Sequence, residues 1–110
     1  MPVMAEITVV PVGTATPSVG AIIAEAVRVL AEYPQIQHDL SAMGTTLVGE
    51  MADVLAACGA MHNAVLAAGA SRCYTIIKID QRTDKDSTTE SKVLSVQRYL
   101  ANTTPPHSSS

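Results

Sequence analysis

Phenylalanine and tryptophan are absent from this 110-residue chain, and aromatic residues make up only 3% of it. Its core must therefore be filled by Val, Ile, Leu, Ala and Met, without large aromatic anchors. Positive charge is scarce as well. The formal net charge is −3 and the pI is near 5.4, which gives no general attraction to nucleic acid or to anionic membrane. No apolar run approaches the roughly 20 residues needed to span a bilayer, and the first residues lack the charged and apolar regions of a secretory signal. These absences predict a cytoplasmic protein with neither nucleic-acid nor membrane partners. Cys58 and Cys73 stand at no metal-ligand spacing and both fall where the pattern predicts burial, so reduced structural thiols are expected. The signatures GxxxxGK[ST], HExxH and GxSxG are missing, so no catalytic triad, metal or cofactor is expected.

What is present is 47% apolar residues, enough for one core in one domain of this length. Ala5 to Val12 is β-branched and apolar and reads as a first strand, with Pro11 near its end. Val19, Ile22, Ile23, Ala26, Val27 and Leu30 recur at helical spacing, with Thr16 placed to cap the helix, Pro17 to open it and Tyr33-Pro34 to end it. Ile36 to Met43 alternates with a period of two, which predicts a half-covered strand, and Gly44 turns the chain into a short strand from Thr45 to Val48. A second helix follows, with Met51, Val54, Leu55, Cys58, His62, Val65 and Leu66 on its apolar face and Gly69 as its stop. Arg72 to Asp80 is a fourth strand. After the charged connection Arg82 to Asp86, Ser87 and Glu90 form a capping box before a third helix whose Val93, Val96 and Leu100 are expected to face inward.

The order βαββαβ plus a terminal helix predicts an α+β, ferredoxin-like sandwich: an antiparallel sheet with both main helices on one face. The domain is expected over residues 1–101, and the Pro- and Ser-containing segment 102–110 as a disordered tail. In the fourth strand Tyr74 and Ile76 point opposite to Cys73, Thr75, Ile77 and Ile79, so neither face of it is plainly polar. An uncovered apolar sheet face predicts self-association.

Two Gly-Thr corners carry the most chemical information. Glycine permits positive φ and close approach of a ligand, and threonine both donates and accepts. Gly13-Thr14, with Ser18 at the start of the first helix, and Met43-Gly44-Thr45 are therefore expected to line one pocket, with Glu50 as its carboxylate. Turn chemistry and a favourable helix-dipole contact for Glu50 are the structural alternatives. Arg82, Asp84 and Lys85 form a charged loop that is either solvated or able to hold an anion or serve assembly. Arg72 and Lys78 read as solvated strand ends or interface charges. His62 reads as a packed, hydrogen-bonded histidine, and His38 and Asp39 fall on opposite faces of their strand. Pro2 would become a secondary amine on removal of Met1, the base of the tautomerase superfamily. The strand pattern starting at Ala5 sets it upstream of the fold.

Ala5 to Thr14, Thr16 to Val19, Met43-Gly44-Thr45, Gly49-Glu50, Thr75 to Asp80 and Arg82 to Lys85, in that order, together resemble the thiamine-binding protein family. The resemblance runs from about Met4 to Leu100. It implies a ferredoxin-like domain assembled as a homodimer or homotetramer that binds thiamine, or its hydroxymethylpyrimidine part, without catalysis. It places Gly13, Thr14, Ser18, Met43, Gly44, Thr45 and Glu50 around the pyrimidine. Met51 stands where many relatives carry tryptophan.

Overall fold

The computed structural model describes residues 2–13, 19–84 and 89–102. Along the chain run β1 (Val3–Val12), α1 (Gly20–Arg28) continued by a 3-10 turn (Val29–Glu32), β2 (Gln37–Ser41), β3 (Gly44–Gly49), α2 (Met51–Ala67), β4 (Arg72–Asp80) and α3 (Thr89–Asn102). The strands form one sheet in the order β2-β3-β1-β4, and every neighbouring pair is antiparallel. This is the ferredoxin-like α+β arrangement. The split order follows from two β-strand pairs that each sandwich a helix in sequence and then interleave in space.

Alternation along β1 sorts the sheet into two faces. Val3, Ala5 and Ile7 are buried and look toward the helices. There they meet Leu47 of β3, Ala26 of α1, Leu30 of the 3-10 turn, and Val54, Ala57, Cys58, Met61 and Val65 of α2 in one core. Met4, Glu6, Thr8, Val10 and Val12 take the opposite, open face. Cross-strand register carries that face sideways: Asp39 pairs with Thr46, Thr46 with Glu6, and Glu6 with Lys78.

Several element details differ from expectation. β1 starts at Val3, so Pro2 directly precedes the strand instead of lying well upstream. α1 starts at Gly20 with Val19 as an N-cap that makes no side-chain capping bond; Thr16 and Pro17 lie outside the described residues. The strand predicted from Ile36 is shorter, and all of β2 is exposed, because it is the outer strand and the helices do not reach over it. On α2, Ala57 and Met61 are buried while Leu55 and Leu66 are exposed. The stripe Val54–Cys58–Met61–Val65 is the one that meets the sheet. Gly69 ends α2 as expected, at φ +117°, with its N–H bonded to Leu66 O at 3.1 Å and that of Ala70 to Val65 O at 3.4 Å, a left-handed helix stop.

The largest correction concerns α3. Val93, Val96 and Leu100 do not face inward: Val96 is 58% and Leu100 73% exposed, and among the described residues α3 has no substantial packing against another element. Ser87 of the predicted capping box and the segment 103–110 lie outside the described residues.

Candidate functional site

At the β3–β1 junction the hairpin corner is held tightly. The Thr8 hydroxyl donates to the Met43 carbonyl at 2.9 Å, and the Ser41 hydroxyl donates to the Gly44 carbonyl at 2.9 Å. A Cβ on Gly44 would stand 2.9 Å from both Ile7 O and Thr8 Oγ1, so glycine is required there for close approach of two backbones. Met43 is exposed, whereas Thr45 is only 3% exposed and points into the core.

The other expected pocket residues are elsewhere. Gly13, at φ +74°, lies beyond the end of β1, where the Ser71 hydroxyl donates to the carbonyls of Val12 and Gly13. It is about 17 Å along the strand from Thr8 at the usual rise. Glu50 is the exposed N-cap residue of α2 and follows Gly49, which pairs with Val3 at the opposite end of β1. One chain therefore does not bring Gly13, the Met43–Thr45 corner and Glu50 into one pocket. The register separates them along a single strand. Thr14 and Ser18 lie outside the described residues. Met51 packs against the buried core, so the side chain at that position serves α2 docking.

The charged loop after β4 is committed internally. Arg82 makes a two-point contact with Asp84, Nε to Oδ1 at 2.9 Å and Nη2 to Oδ2 at 2.6 Å. That hydrogen-bonded carboxylate holds the guanidinium above its ordinary pKa, and an anion would have to displace it. Lys85 lies outside the described residues.

A ligand-sized concavity occurs where the pattern suggested none. On the open face, an open recess of about 380 Å³ is floored by Met4, Ala5 and Glu6 of β1, Thr46 of β3, and Lys78, Ile79 and Asp80 of β4. Val93 of α3 forms its far wall. Small-molecule sites fall in the range of about 300–1,000 Å³. Lys78 Nζ stands 3.9 Å from Glu6 Oε1, with side-chain exposures of 76% and 42%, so solvent screens this ion pair and its contribution to stability is small. Sequence reading missed these residues because they are distant in the chain. The available signal was the alternation that sets Glu6 and Lys78 opposite to Ile7 and Ile77.

Behind the sheet, His62 of α2 and Thr75 of β4 share a hydrogen bond, Nδ1 to Oγ1 at 2.6 Å. Cys73 Sγ lies 3.4 Å from the same hydroxyl. His62 is thus the packed, hydrogen-bonded residue expected of it. Cys58 is fully buried and Cys73 half-buried, and both are free thiols; burial pushes the Cys58 pKa up to about 11. Among the described residues no group of His, Cys, Asp and Glu side chains has the geometry to hold a metal, and no helix is long and apolar enough to cross a membrane.

The fold and recess define a small ferredoxin-like domain with a ligand-sized hollow on its open sheet face. Residues 5–97 match the thiamine-binding protein family, and the chain belongs to that family. It is 40% identical over 100 residues to the UPF0045 protein YqgV of Bacillus subtilis, covering 88% of this chain and 96% of that protein. The solved structure of MJ1052 from Methanocaldococcus jannaschii superposes with a TM-score of 0.80 at 32% identity, covering 87% of this chain and 96% of its own. A candidate thiamine biosynthesis/salvage protein from Thermotoga maritima superposes at 0.71 over 87% of this chain and 99% of its own. At 20% identity that last likeness shows the fold.

Proposed function

We propose that this protein binds thiamine or its hydroxymethylpyrimidine moiety without chemical turnover, as a cytoplasmic carrier, buffer or sensor. The observation that carries this reading is a family match over residues 5–97 on a chain whose open face holds a ligand-sized recess with Glu6, Thr46, Lys78 and Asp80 among its lining residues. An aminopyrimidine offers donors and ring-nitrogen acceptors, which carboxylates and a threonine hydroxyl complement.

The working unit in this reading is a homodimer or homotetramer. Val10, Val12, Tyr74 and Ile76 are exposed at one end of the open face, and the apolar stripe of α3 is exposed beside its other end. Both surfaces have the character of a protein interface. Tyr74 and Ile76 lie away from the recess, so assembly through them leaves the polar end of the face available to a ligand.

Equilibrium dialysis of the purified protein against thiamine tests the reading. Saturable uptake, with the vitamin recovered chemically unchanged, supports it. Absence of uptake by thiamine and by hydroxymethylpyrimidine removes it and leaves an interaction domain, the alternative that the unpacked apolar face of α3 favours.

A further inference from the structure

We propose that Cys73 is a thiolation site: its thiol attacks a low-molecular-mass disulfide while Thr75 relays the thiol proton to His62. The inference is independent of the small-molecule binding reading above, because it concerns the helix-covered side of β4 and not the open-face recess.

Three side chains from two elements stand in line there. Cys73 Sγ lies 3.4 Å from Thr75 Oγ1, and the same hydroxyl lies 2.6 Å from His62 Nδ1. A hydroxyl both donates and accepts. Thr75 is thus placed to take a proton from the thiol on one side while giving its own to the imidazole on the other, with Nε2 carrying the ring proton. A nucleophile joined to its base through hydrogen bonds, with each group held by its neighbour, is the arrangement that activates a thiol. β4 pairs with β1 along its whole length without a break in register, so the strand fixes Cys73 and Thr75 on one side, facing α2.

The second thiol of this neighbourhood shows what the array adds. Cys58 precedes His62 by one turn of α2, yet it is fully buried, and burial pushes its pKa up to about 11. Cys73 is half-buried and belongs to an outer strand of the sheet, so a reagent approaching that edge meets no further strand. There is room beside the imidazole. Gly59 shares the helix stripe of His62, and a Cβ added to it would meet no atom within 4 Å. Leu66, one turn beyond His62, and Ile77, which follows Thr75 on the same side of β4, are exposed and offer apolar contact to the organic part of a disulfide. Cys58, Gly59, Val65 and Leu66 around His62, and Cys73 and Ile77 beside Thr75, carry no fixed charge, which leaves His62 as the proton acceptor of the cluster and suits a neutral reagent.

The step balances between the protein and the disulfide. A bond forms from the Cys73 sulfur to one sulfur of the reagent as the reagent's own S–S bond breaks. The thiol proton passes to Thr75 as the Thr75 proton passes to His62, and the departing thiolate takes a proton back from the relay. The products are a mixed disulfide at Cys73 and one free thiol.

Mass spectrometry of the native full-length protein incubated with hydroxyethyl disulfide, a neutral probe, tests the assignment by locating the adduct and following its rate. A single adduct at Cys73, with Cys58 unmodified, is expected. Thr75→Val and His62→Leu should each slow its formation by at least about tenfold, the scale of a lost general base, whereas Thr75→Ser keeps the hydroxyl and should react at close to the wild-type rate. Loosening of α2 from β4 would expose the thiol and speed the reaction, so a slowing cannot be produced by instability. An adduct that forms first at Cys58, that never forms at Cys73, or that forms as fast in Thr75→Val and His62→Leu as in wild type overturns the inference, as does Thr75→Ser behaving like Thr75→Val.

Discussion

The hydroxyl of Thr8 donates to the carbonyl of Met43 at 2.9 Å, which fastens the β2–β3 hairpin to the middle of β1. The backbones come so close there that Gly44 cannot accept a side chain: an added Cβ would sit 2.9 Å from Ile7 O, a backbone atom with no freedom to retreat. Gly44→Ala is therefore expected to destabilise the fold by about 1–3 kcal/mol, the usual cost of overpacking. Urea denaturation should show a lower midpoint at an unchanged slope. A midpoint equal to wild type would mean that the hairpin is not seated on β1 in this way.

Thr75 holds His62 between α2 and β4 through a 2.6 Å hydrogen bond. Thr75→Val keeps the side-chain shape and removes the hydroxyl, leaving the half-buried imidazole nitrogen without that partner. The expected cost is about 1–3 kcal/mol. The double variant with His62→Leu should recover part of it, since removing both polar partners is less costly than removing one. Additive losses in the cycle would exclude coupling.

Cys58 links stability to alkaline pH. Burial raises its folded-state pKa from 9.0 to about 11, so the unfolded chain loses its thiol proton at lower pH than the folded one. Stability from this group is complete below pH 9.0 and declines as pH rises toward about 11. The total is on the order of 2–3 kcal/mol, at about 1.4 kcal/mol per pH unit. Cys58→Ala should be less stable at pH 7 yet show a shallower decline over that interval. With an aromatic disulfide reagent at pH 8, native protein should react first at the half-buried Cys73, and denaturation should expose Cys58. Equal reactivity of both thiols in the native state would contradict the packing of α2.

The exposed stripe of α3 bears on assembly. Replacing Val96 and Leu100 with serine removes apolar surface that none of the described residues covers. For the homo-oligomer proposed above, sedimentation should therefore report a smaller particle with wild-type circular dichroism. Unchanged assembly would assign the interface to Val10, Val12, Tyr74 and Ile76 on the open sheet face.

Much of this fold is legible in the sequence. The run from Arg72 to Asp80 is β-branched and bounded by a helix stop and a charged loop, and the strand has those limits. Gly69 is recognisable because only a residue at ease with positive φ suits the turn after α2. The inward stripe of α2 is less legible: the helix is rich in alanine and apolar on several sides, so periodicity alone does not choose Met61 over Leu55 or Leu66. The candidate site is the least legible part. Met43 and Gly44 have the visible chemistry of a close turn, but whether Gly13 and Glu50 join them depends on strand register. Register places Glu6, Thr46 and Lys78 side by side instead, and no local pattern around any one of them announces the other two.

The most direct test of the account is an amide NMR titration of the isotopically labelled wild-type protein with thiamine. The account predicts saturable shifts centred on Met4 to Glu6, Thr46 and Lys78 to Asp80, extending to Val93, with little change at Gly13 or Glu50. Shifts centred on those two residues instead, or none at saturating vitamin, would contradict it.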